Sequence, residues 1–338
     1  MLRSIAVLLV LVEHILLAMR ISRFGYLQLE WMGVVGVFMF FVHTSLVLMW
    51  SLERHPGFVG FYIRRAFRIY PLAIVAILTL VLFHIPTMQS TNGDTYYHSP
   101  TFRNLVANLA LVQNFVKGKS ILGVMWSLPP EVQMYVLLPF LFFFLKQKNK
   151  LWPLLLLWFF FALGWRLEYT QGGLSLCVPY FLPGVMAFVL FPRVHPRLPA
   201  FLFPLLIAGL FFVFMIHPGF PQGWLLTLAL GLAIPHFHQI RTQWLIRTCH
   251  HLAKYSYGIY LSHIFFISLG INYLAHYNLA IRLAAVLLPL AITVVLLYHL
   301  LEKPMIDLGG RLAQRVEKLI ARASSEERDG AHRAGHAI

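Results

Sequence analysis

Apolar stretches long enough to cross a bilayer recur along almost the whole of this chain, and no arrangement in water could bury them all. They run near 4–21, 31–50, 69–86, 124–145, 151–165, 174–191, 199–216, 223–238, 255–275 and 279–300, each about the 15 to 22 residues over which a helix spans or nearly spans the hydrocarbon core. Of the 338 residues 59% are apolar and only 12% charged, and mean hydropathy is +0.73, whereas about a quarter of a soluble domain is charged. The pattern predicts an all-α, polytopic integral membrane bundle of about ten transmembrane helices over residues 1–308. Residues 309–338 turn charged and predict a cytoplasmic tail, first an amphipathic helix and then a disordered end. The first apolar run lacks a small-residue cleavage site and reads as a retained span. A stretch at 105–116 is short and rich in Asn and Gln, and reads as an interfacial or re-entrant helix.

The formal charge of +15 would suit a nucleic-acid binder, but the basic residues stand in short clusters between apolar runs, as they do in cytoplasmic loops of membrane proteins. With ten spans the loops alternate between sides. Arg20, Arg23, Arg103, Lys117, Lys119, Arg166 and Arg282 fall on one side, and the remaining 20 of the 27 Lys and Arg share the side of the two termini. That asymmetry predicts both termini in the cytoplasm and no nucleic-acid partner. Acids on the opposite side are few, chiefly Glu30, Asp94 and Glu168. Cys177 lies in an apolar run and Cys249 in a basic loop, with no CxxC, so neither a disulfide nor a metal site is expected.

An ionisable side chain at mid-bilayer costs about 2.5 kcal/mol or more, so each one needs a protein interior or a wet cavity around it. Glu13 and His14 lie about 16 Å along the first span at roughly 1.5 Å per residue. Arg3 precedes His14 by 11 residues, close to three turns, so the two share a face. The plain alternative is a histidine satisfied by a neighbouring helix. In FYIRRAFRIYPL, Arg65 and Arg68 share a face at i, i+3, with Arg64 and Arg54 beside them. Guanidinium forks match phosphate oxygens, which makes the cluster a candidate cradle for an anionic cofactor; ordinary positive-inside signalling is the alternative. In VMWSLPPEVQMYVLLP, Pro129 and Pro130 suit a first helical turn. Glu131 follows, roughly 10 Å in from the outer face by helical rise, with Tyr135 one turn on. The carboxylate reads as half of a proton relay or as a counter-ion to a buried cation. His43 in HTS and His263 in YSYGIYLSHI add polar groups at membrane depth. Together these residues predict an enclosed reaction or transport chamber.

In their order along the chain these motifs resemble the acyltransferase family 3 membrane proteins, which move acyl groups, usually acetyl, onto sugars of surface glycans. The resemblance runs through LRSIAVLLVLVEH, GVFMFFVHTS, RRAFRIYP, WSLPPEVQMYVLLP, YSYGIYLSH and LEKP, and covers about residues 2–308. It implies a ten-helix fold in a bacterial inner membrane. It also implies acyl-CoA, chiefly acetyl-CoA, as cytoplasmic donor, a carbohydrate or glycolipid hydroxyl as acceptor, and no metal. The family's first-span pair matches Arg3 and His14, its RxxR pair Arg65 and Arg68, and the acid of its WSL motif Glu131. The resemblance thus implies His14 as general base or acyl carrier and Glu131 as the residue that orients it or the acceptor. Arg65 and Arg68, helped by Arg64 and Arg3, would hold the coenzyme A phosphates. Tyr135, His43 and His263 are further candidates for substrate contact. In the second span the family commonly has an acidic residue and then Ser-Gly, where this chain has Phe38, Thr44 and Ser45. The rival reading is a proton-coupled transporter or flippase of an anionic lipid or sugar; the inverted repeat with paired broken helices that would mark it is not visible.

Overall fold

The computed structural model describes residues 1–86, 88–89, 95–148, 151–167 and 174–335; Asp94, Lys150 and Glu168 lie outside them. The described chain is mostly helix: α1 Leu2–Ala18, α2 Met32–Arg54, α3 Phe58–Leu82, α4 Phe102–Leu109, α5 Leu128–Lys148, α6 Trp152–Leu167, α7 Leu174–Leu190, α8 Leu202–Ile216, α9 Phe220–Ala233, α10 Gln243–Ile267, α11 Leu279–Leu297 and α12 Lys303–Gly335. The named strands are two short hairpins, Arg23–Phe24 with Leu27–Gln28 and Met88–Gln89 with Thr95–Tyr96. Four helical stretches are long and apolar enough to cross a membrane, namely Leu29–Arg54, Phe58–Leu82, Gly123–Leu145 and Leu279–Ala323. Trp152–Leu163, Leu176–Leu190 and Leu202–Ile216 are shorter apolar helices.

Helix α2 is the hub, packed against α1, α5, α7 and α9. Helices in lipid gain little from the hydrophobic effect and associate where small residues let backbones approach. A Cβ on Gly36 would lie 2.5 Å from the Ala6 carbonyl oxygen of α1, so glycine is what admits that contact. Ser45 donates to the Phe181 carbonyl of α7 at 2.6 Å. Phe38 stacks on Tyr180 with ring centres 3.9 Å apart and planes 11° from parallel, so this position serves aromatic packing between α2 and α7.

Helix α3 differs from the sequence expectation. The apolar pattern puts a span from about residue 69 with the arginines ahead of it, but the helix starts at Phe58 and carries Arg64, Arg65 and Arg68 on its own first half. Nothing in 58–70 breaks a helix, and Pro71 removes one backbone bond without ending it. Tyr257 of α10 donates to the neighbouring Ile69 carbonyl at 2.8 Å.

Residues 102–127 fold back between α3 and α5. At eight residues α4 is too short to cross a bilayer. Buried amides hold the irregular chain that follows. Asn108 donates to the Lys119 carbonyl and accepts from the Ile121 N–H, both at 3.0 Å. Gln133 and Asn114 exchange side-chain bonds at 2.9 and 3.3 Å, and Tyr70 of α3 donates to the Ala110 carbonyl at 3.1 Å. Buried backbone groups outside a helix need such partners, which gives the Asn and Gln of this stretch their physical purpose. The segment delivers a 3₁₀ turn, Gly123–Ser127, and the start of α5 into the bundle.

At the C-terminal end, α11 passes through a π turn, Tyr298–Glu302, into α12. That helix lies along α3, with Gly57 and Gly60 facing Glu317 and Gly309 facing Phe67. Composition predicts loss of order toward the end; the helix instead continues to Gly335 through Ala, Arg and Glu, which are good helix formers.

Candidate active site

Five helices, α1, α2, α3, α5 and α10, surround an open cavity of about 740 Å³, its mouth included, lined among others by Arg3, His43, Arg65, Arg68, Glu131 and Tyr135. Arg3, in the first turn of α1, donates from Nε to Ser256 Oγ of α10 at 2.6 Å, and its guanidinium lies 5.6 Å from the centre of the Phe40 ring. On α3, three residues apart, Arg65 and Arg68 present the shared face that i, i+3 spacing dictates. Arg68 Nη1 lies 3.6 Å from Glu302 Oε2, a carboxylate only 2% exposed, brought in by the π turn before α12. Arg65 lies over the Phe61 ring at 6.0 Å, and its Nε is buried without a hydrogen-bond partner among the described residues. Arg64 does not line the cavity; its Nη1 pairs with Glu317 of α12 at 3.1 Å.

Because α5 begins inside the bundle, Glu131 in its first turn stands beside the arginines. Tyr135, one turn on, donates to Glu131 Oε1 at 2.5 Å. His43 of α2 lines the same cavity with a buried Nδ1 that has no hydrogen-bond partner among the described residues.

His14 belongs to a second cluster. Its Nδ1 bonds the Val10 carbonyl at 2.9 Å and lies 2.5 Å from Glu13 Oε2, and Glu13 is 5% exposed. His263 of α10 repeats the arrangement, with Nδ1 on the Ile259 carbonyl at 2.9 Å. A carbonyl can only accept, so in each neutral ring the proton sits on Nδ1 and Nε2 is the base. The two rings meet edge on, centres 5.0 Å apart. His14 does not line the arginine cavity, and Glu131 meets Tyr135 rather than His14. The link between the clusters is a polar column on α10. The His263 ring centre is 6.2 Å from that of Tyr260, whose hydroxyl bonds Ser127 Oγ at 2.7 Å and the Val124 carbonyl, and both Tyr260 and Ser127 line the cavity.

Sequence reasoning assigned no role to Glu13, Ser127, Ser256, Tyr260 or Glu302. A signal for three of them was present. Ser256, Tyr260 and His263 recur at helical spacing on one face of α10, and Glu302 is an acid at the edge of a long apolar run. Among the described residues no group of three or more His, Cys, Asp or Glu is placed to hold a metal.

A family model described as an acyltransferase domain matches residues 1–299. No curated protein and no solved structure matches the chain significantly.

Proposed function

Because this chain belongs to acyltransferase family 3, we propose that it transfers an acyl group, acetyl above others, from cytoplasmic acyl-CoA to a hydroxyl of a cell-surface or lipid-linked carbohydrate. In this reading it crosses a bacterial inner membrane about ten times with both termini in the cytoplasm, which the 20-to-7 split of Lys and Arg supports.

The observation that carries the reading is the charge inside the cavity. Three guanidiniums, from Arg3, Arg65 and Arg68, line it with one carboxylate, Glu131; Glu302, outside the lining, pairs with Arg68, and Arg65 Nε has no hydrogen-bond partner among the described residues. A buried cation left without an anion is strongly destabilising, so the site is suited to a ligand that brings negative charge, as the phosphates of coenzyme A do. Arg65 and Arg3 are the main hooks, because Arg68 is already opposed by Glu302 and Arg64 by Glu317.

The thioester end of the donor then reaches past Tyr260 and His263 to His14. There Nε2 takes the proton of the acceptor hydroxyl as the oxygen attacks the thioester carbonyl. Collapse of the tetrahedral intermediate breaks the C–S bond, and the imidazolium returns the proton to the departing thiolate. Glu13, beside Nδ1, stabilises the imidazolium while it lasts. Glu131 and Tyr135 fix the donor end of the path. The test is transfer of labelled acetyl from acetyl-CoA to glycan by purified protein in lipid; transport of the label's carrier without ester formation would place the chain with the flippases instead.

A further inference from the structure

A second pocket lies at the bundle end where α3 finishes, away from the arginine cavity. Tyr97, just ahead of it, donates to the Val81 carbonyl in the last turns of α3 at 3.4 Å. The pocket is open, about 730 Å³ with its mouth included, and its charged lining residues, Arg103, Lys117 and Lys119, are all basic. No described carboxylate forms an ion pair with any of them. Of the seven cations that the ten-span reading assigns to this side, three gather here.

The local backbone is arranged to hold them together. Lys117 sits at φ 53°, a left-handed conformation that a residue with a side chain adopts at a cost. Gly118 follows, where a Cβ would come 2.5 Å from Asn104 Oδ1 of α4, so the loop lies tight against that helix. Asn108 bonds the Lys119 carbonyl at 3.0 Å and fixes the other flank. Thr101 caps α4 by accepting from the Asn104 N–H at 3.3 Å, and the positive end of the helix dipole opens into the same space. The three cations are exposed, and what marks the site is their convergence, with no described carboxylate partner, on one concavity that a helix N-terminus also faces.

We propose that this pocket binds a phosphate group, carried either by a lipid headgroup or by a phosphorylated sugar. It stands apart from the acyl-transfer reading and is tested by binding alone, so failure of either leaves the other measurable. The full chain is placed in phosphatidylcholine nanodiscs. One arm adds phosphatidylglycerol to the bilayer, and the other adds glucose 1-phosphate to the buffer. Thermal unfolding is followed for the native protein, for Lys117→Ala with Lys119→Ala, and for Arg23→Ala, an exposed cation outside the pocket. At least one phosphate probe is expected to raise Tm of the native protein and of Arg23→Ala, with on the order of tenfold weaker binding in the double-lysine variant. A response to phosphatidylglycerol alone identifies a lipid headgroup, and a response to glucose 1-phosphate identifies a sugar phosphate; both support the site. No shift with either probe, or an equal shift in the double-lysine variant, overturns it.

Discussion

His14 and His263 meet edge to face, ring centres 5.0 Å apart and planes at 82°, on helices from opposite ends of the chain. Each ring is pinned by its own helix through Nδ1, so neither can swing to offer a different nitrogen. In the proposed reaction a base held this way is pre-aligned for proton transfer, and the contact would make α10 part of the chemistry of α1.

Substituting His263→Phe keeps a ring against His14 and removes the nitrogens. Turnover is expected to fall about 100-fold, in the range of acid–base contributions, with little change in donor KM. Initial rates with acetyl-CoA measure this, and wild-type turnover would assign His263 to packing alone.

Among the described residues Arg65 forms no ion pair, so Arg65→Ala removes a ligand hook without breaking a direct salt bridge. Donor KM is expected to rise at least about tenfold, from the loss of a charged hydrogen bond of roughly 1.5 to 3 kcal/mol, while Tm barely moves. Calorimetric titration with coenzyme A reads the same effect on binding.

Arg68 behaves differently, because Arg68→Ala leaves Glu302 buried without its cation. Breaking a buried pair costs about 3 to 5 kcal/mol, so this variant is expected to lose stability as well as donor affinity. Adding Glu302→Gln should recover much of the stability; additive losses in the thermal melts of the double variant would show that the two side chains are not coupled.

Gly36→Val tests the packing of the hub. The Cβ contact with the Ala6 carbonyl cannot relax by a rotamer change, because both partners are backbone-fixed. Folded protein in the membrane fraction is expected to drop sharply, whereas Gly123→Ala, with nothing within 4 Å, should express normally.

Much of this architecture is readable from residue order. Apolar periodicity predicts helices and membrane character, and the i, i+3 spacing of Arg65 and Arg68 predicts a shared face that the cavity uses. Long-range pairings are not readable in the same way. Arg64 looks like its neighbours in sequence, yet α12 brings Glu317 to it; that depends on where a helix some 250 residues later comes to rest. Glu131 reads as a carboxylate roughly 10 Å in from the outer face beside a polar cavity, and it does line one, but spacing does not say which groups share it. That depends on how the fold-back of 102–127, held by Asn108 and Gln133, seats the start of α5. His14 and Arg3 share a face as their spacing predicts and both meet α10, but at Ser256 and His263, separated by two turns, so they serve two clusters.

In the proposed reaction His14 performs the proton transfer of acyl exchange. Purified protein in lipid, supplied with acetyl-CoA labelled in the acetyl group and with glycan from the source membrane, measures it directly by mass spectrometry of the glycan. The native protein should yield labelled ester, and His14→Ala, folded to the same Tm, should yield none above background. Ester formation by that variant at the native rate would rule out His14 as the base.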